Sequence, residues 1–146
     1  MNEQYVSFEV SKLLKENGFD WKTDFVWYEH LPLSLDWRNK ANQKAMDYFY
    51  FNETTEHHSC YRNCDKKPSY INGDIYSAPT QQMACRWLRK EKGIHILPEI
   101  SEVKENPKYY CMIWKTSTLE SFIIELFDSY EDAIEAALEY VLKNLI

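Results

Sequence analysis

The sequence predicts an α+β fold: a mostly antiparallel sheet with about three helices packed largely on one face, residues 1–146 forming a single domain. Three observations predict it. Apolar residues recur at helical spacing in three segments, each bounded by its own start or stop signal. Two runs rich in aromatic and β-branched residues flank a polar connection of hairpin length. A length of 146 residues with 45% hydrophobic content is enough for one core without disulfide or metal staples.

In the first helix Val6, Val10, Leu13 and Leu14 form the apolar stripe. Asn17-Gly18 closes it, and Phe19 is placed to fold back on Leu14 as in a Schellman ending. Asp24 to Glu29 and Met46 to Phe51 read as strands, whereas Leu31 to Lys44 and Asn52 to Gly73 carry loop residues. The segment Ala78 to Ile96, APTQQMACRWLRKEKGIHI, holds the most local information. Pro79 keeps Ala78 extended, and Thr80 is a cap for a helix that begins at Gln81. Met83, Ala84, Trp87 and Leu88 make the buried stripe; Arg86, Arg89 and Lys90 fall off it. Gly93 ends the helix, with Ile94 expected to contact Leu88, and a strand begins at Ile94-His95-Ile96.

Tyr109 to Trp114 and Phe122 to Phe127 are the hairpin strands, joined across Lys115 to Glu120. Both are apolar on both faces, which suggests a central place in the sheet, with one face under helices and the other covered by a partner, a loop or aromatic rings. Ser129 caps the last helix, and Glu131 and Asp132 in its first turn suit the helix dipole. Its apolar face is Tyr130, Ile134, Ala137, Leu138, Val141, Leu142 and Leu145, so the C-terminal end is expected to be docked.

Composition narrows the function classes. The N-terminus lacks a basic stretch followed by an apolar one, and no apolar run approaches a membrane span, so a cytoplasmic location without membrane attachment is the expectation. Aromatic residues make up 16% of the chain, an excess that suits either a recognition surface or aromatic-rich strands around a small core. His57, His58, Cys60 and Cys64 could supply imidazole and thiolate ligands to zinc, but all four lie on one short segment and no second ligand pair stands elsewhere. No metal and no cofactor is therefore assigned. Arg86, Arg89, Lys90 and Lys92 make the second helix locally basic, while 17 Lys plus Arg against 23 Asp plus Glu gives a net charge of −6 that opposes phosphate binding.

Catalysis has the least support. GxSxG, HExxH and phosphate-cradling glycine loops are absent, and only 3 glycines are present. Glu29, His30 and His95 remain as acid or base groups, so an enzymatic role is left open and binding is favoured. The pattern APTxxxAxxWLRxxxGIxI at Ala78 to Ile96, with the hairpin and SYEDAIEAALEYVLKNLI at Ser129 to Ile146, resembles a group of short uncharacterised proteins from phage and mobile-element regions of gut bacteria. The resemblance covers the second half of the chain and implies a small accessory protein of a mobile element; it carries no catalytic or binding residue. The expected function is non-catalytic binding of a partner protein or self-association, with nucleic-acid binding through the basic helix face and aromatic residues as the alternative. Arg86, Arg89, Lys90 and His95 are the candidate binding residues, because folding does not account for them.

Overall fold

Among the described residues, strand pairing sorts six strands into two three-stranded antiparallel sheets, one in the order β2 (Tyr48–Phe51), β1 (Phe25–Tyr28), β3 (Ile75–Ala78) and one in the order β4 (Ile94–Ile100), β5 (Tyr109–Lys115), β6 (Glu120–Phe127). The computed structural model describes residues 4–28, 48–51, 62–63, 74–101 and 105–146. The chain divides into two compact units, Ser7–Pro79 and Met1–Val6 with Thr80–Ile146. The α+β class and the antiparallel pairing are as expected; among the described residues β1 pairs with β2 and β3, which places those three strands in a sheet of their own.

In the unit Ser7–Pro79, α1 (Phe8–Glu16) is capped by the Ser7 side chain, which accepts from the Val10 N–H. Val6 thus lies before the cap and not on the helical stripe, and Ser11 shares the buried face with Val10 and Leu14. The expected stop is present in full: Phe19 N–H donates to the Leu14 carbonyl at 2.9 Å and Gly18 N–H to the Lys15 carbonyl at 3.1 Å, the two bonds of a Schellman motif. Phe19 and Leu14 are both buried. β1 (Phe25–Tyr28) is the central strand, between β2 (Tyr48–Phe51) and β3 (Ile75–Ala78). β3 has no counterpart in the sequence reading because all four of its residues are buried, which erases the alternation that reveals a strand. Its outer edge is closed by side chains: Lys15 Nζ donates to the Ile75 carbonyl, and the Ser77 N–H donates to Asn63 Oδ1.

The other unit contains α2 (Gln81–Trp87), β4 (Ile94–Ile100), β5 (Tyr109–Lys115), β6 (Glu120–Phe127) and α3 (Tyr130–Asn144). Thr80 caps α2 by accepting from the Met83 N–H, and the residues before it are tied in by the Gln4 carbonyl, which accepts from the Gln81 N–H at 2.8 Å, and by a Tyr5–Thr80 bridge. The helix does not run unchanged to Gly93. Leu88–Lys92 widens into a π-helical turn, and the Gly93 N–H reaches back five residues to the Leu88 carbonyl from the left-handed conformation, φ 65°. The expected stop thus occurs at the right residue with a wider turn.

α3 starts where Ser129 accepts from the Asp132 N–H, and Ala133, Ile134, Ala137, Leu138, Val141 and Leu142 are buried. Burying a side chain such as Leu138 stabilises by roughly 1.5–3 kcal/mol. Tyr130, expected on that face, is instead exposed at the first helical position and meets the Tyr109 ring edge-on at 6.3 Å. Gln81, buried on α2, donates through Nε2 to the Glu131 carbonyl and to Glu135 Oε2, which ties α2 to α3. Both helices pack on one face of the β4-β5-β6 sheet, over Ile94, Ile96, Cys111 and Ile113.

Candidate functional site

Register decides which side chains of this sheet share a face. β5 is central, as its composition suggests, and pairs His95 with Trp114, Leu97 with Met112 and Glu99 with Tyr110 on β4, and Trp114 with Ser121 on β6. Ile94 and Ile96 point to the helix-covered side, so His95, Leu97 and Glu99 take the opposite one, with Tyr110, Met112 and Trp114. The result is an apolar strip on the sheet face away from α2 and α3. Leu97 is 45% exposed and Trp114 38% exposed, with Met112 and Tyr110 half-buried and His95, Glu99 and Ser121 around them. Neighbouring apolar side chains left open together, and rimmed by polar groups, are the pattern of an interaction surface.

The residues named from sequence do not converge. Arg86, Arg89 and Lys90 are exposed on α2 and the π-helical turn, on the helix-covered side, whereas His95 belongs to the opposite face. Lys92, beside them, sits over the Trp87 ring at 5.6 Å and is engaged within the unit. Glu29, His30, His57, His58, Cys60 and Cys64 lie outside the described residues. Among the described residues no group of three or more His, Cys, Asp or Glu is arranged to hold a metal ion, and no helix is long and apolar enough to cross a membrane.

Two other clusters are structural. Cys85 of α2 and Cys111 of β5 are buried free thiols. Burial pushes Cys85 up to about 12, with Arg89 pulling the other way and Cys111 and Glu135 adding to the rise; burial also pushes Cys111 up to about 11. A nucleophilic cysteine needs the opposite shift. In the unit Ser7–Pro79, the Phe8 ring meets Trp27 and Tyr76 edge-on, and Lys12 and Lys15 lie over Phe8 and Tyr76 at 5.5 and 5.1 Å. In the sequence this cluster is signalled only by Phe8, Lys12 and Lys15 standing at i, i+4 and i+7.

Leu97, Met112 and Trp114 could be foreseen only in part. Alternation in Tyr109 to Trp114 announced a second apolar face, but Leu97 joins it only because β4 continues past Ile96 to Ile100. Comparison of the chain with protein-family models, with curated proteins and with solved structures finds no match in any of the three.

Proposed function

We propose that this protein is a non-catalytic accessory protein that binds another protein, or a second copy of itself, through the open face of the β4-β5-β6 sheet. The observation that carries this reading is the strip of Leu97, Met112 and Trp114 on a central and an edge strand, opposite the face covered by α2 and α3. Covering such a strip removes apolar area from water at about 25 cal/mol per Å². Nucleic acid fits the face less well: it carries the acidic Glu99, while the exposed Arg86, Arg89 and Lys90 lie on the other side. The resemblance of the second half to short phage and mobile-element proteins supports an accessory role in that setting.

The test compares two double variants with the wild-type chain by light scattering over a concentration series and by quantitative affinity capture from host extract. Leu97→Glu with Trp114→Glu is expected to abolish association, and Arg86→Glu with Arg89→Glu to leave it intact. The reverse pattern, together with a mobility shift of single-stranded nucleic acid at low salt, would move the function to the basic helix. A wild-type chain whose association ignores the sheet-face substitutions would overturn the proposal.

A further inference from the structure

The edges of the two sheets are not treated alike. In the sheet of β4, β5 and β6, the Thr116 N–H donates to the Gly93 carbonyl and the Ser101 N–H to the Lys108 carbonyl. Bonded pairs alternate in an antiparallel ladder, so odd-numbered β4 residues bond β5 and even-numbered ones turn their backbone groups outward. Pro98 stands at one of those outward positions, where it removes a donor from the edge without costing the ladder a bond. β3 in the other sheet is closed by Lys15 and Asn63.

β6 carries neither device. The same alternation makes Ile113–Phe122 and Cys111–Ile124 the bonded pairs, and turns the N–H and C=O of Ser121 and Ile123 outward. Its sequence, ESFIIELF, contains no proline and no lysine, and among the described residues no hydrogen bond reaches those outward groups. A bulge opposite Tyr110 disturbs the edge only beyond Ile124. A strand added here would place alternate side chains beside Ser121 on the face that holds Trp114 and Met112, so the edge and the open face form one continuous surface. The charge of the edge selects the occupant. Glu120, which faces Lys115 across the ladder, and Glu125 are both exposed on β6, and the strand itself contains no basic residue. Pairing with a second copy would set these acids against themselves in a chain of net charge −6.

We propose that the outer edge of β6, over Glu120 to Ile124, accepts an extended segment of a partner protein as a fourth strand, one that alternates apolar residues with Lys or Arg. This rests on the protein-binding reading above and gives it a mode. The probe is a displayed library of linear peptides of about ten residues, roughly two strand lengths, selected against the full chain. Enriched peptides should alternate apolar and basic residues, slow amide exchange at Ser121 and Ile123, and lose about tenfold or more in affinity to Ser121→Pro. That substitution reproduces on β6 what Pro98 does on β4 and spares the bonds to β5; Ser121→Lys replaces it if proline unfolds the sheet. Glu125→Lys should also weaken the selected peptides. Absence of such peptides, or affinity unchanged by Ser121→Pro and Ser121→Lys, would overturn strand addition. Peptides lost only to Leu97→Glu with Trp114→Glu would overturn the edge and leave the open face standing, whereas peptides insensitive to all of these variants would sink both. A dimer of the wild-type chain abolished by Ser121→Pro would put a second copy on the edge and exclude the partner segment.

Discussion

At Gly93 two separate demands meet in one residue. Its φ of 65° is left-handed, and a Cβ there would lie 2.6 Å from Thr116 Oγ1. Gly18 shares only the first demand, with φ 91° and open space around the missing Cβ. Alanine at Gly18 should therefore cost about 1–2 kcal/mol, the usual penalty of the left-handed region, and alanine at Gly93 more. Denaturant unfolding of both variants measures the difference. Thr116→Ala removes the clashing atom and also a hydroxyl that donates to the Gly93 carbonyl, so the cost of Gly93→Ala should shrink in that background. Additive effects of the two substitutions would show that the contact is not the cause. The stop at each glycine was legible because Asn17-Gly18-Phe19 and Gly93-Ile94 are local signals. Thr116 was not legible as a constraint on Gly93, since only the pairing of β4 with β5 brings a residue so distant in sequence against it.

Among the elements, α2 shows how burial tunes chemistry that sequence position leaves open. Cys85 has a thiol raised from 9.0 to about 12, chiefly by burial. The folded state therefore holds its proton more tightly than the unfolded chain. No stability is lost through this group below about pH 9; above it, up to about pH 12, each pH unit removes about 1.4 kcal/mol. Cys85→Ala should be somewhat less stable at neutral pH and should decline more shallowly between pH 9 and 11, as followed by denaturant unfolding at each pH. A parallel decline in both chains would show that other groups set the alkaline limit. Caps and apolar stripes made the helices readable, because each is a contest between neighbours in sequence: Thr80 with Met83, Ser129 with Asp132. The π-helical turn at Leu88–Lys92 and the strand Ile75–Ala78 escaped notice for a different reason. A widened turn has no signature in apolar spacing, and a strand buried on both sides has no alternation. The open face was half legible: β5 declared two apolar sides, and only pairing assigned Leu97 and His95 to the second.

For the whole molecule, the two units are not two halves of the chain, because Val6 and the residues before it belong with Thr80–Ile146. Val6 is buried, and the Gln4 carbonyl satisfies the Gln81 N–H, one of the donors left free at the start of any helix. Deleting residues 1–6 should destabilise the unit of α2 and α3 by about 2 kcal/mol, from one lost hydrogen bond and one lost buried side chain. Amide exchange in α2 and α3 reads this out: protection there should fall while protection in β1 and β3 stays. Equal loss in both units would mean that the segment supports the whole chain. Nothing local to Gln4–Val6 announces a partner beyond residue 79, so this tie is not legible in the sequence.

The bridge between Tyr5 and Thr80 also sets an order of events on the ribosome. Thr80 follows Tyr5 by the whole of Ser7–Pro79, so the partner emerges several seconds later at about 5–20 residues per second. During that interval the intervening segment can collapse on its own contacts before the Tyr5–Thr80 bridge is able to form. α3, whose buried Leu138 and Val141 belong to the same unit as Thr80, is translated later still. The segment Gln4–Val6 thus joins its own unit only after all of the other unit has been made.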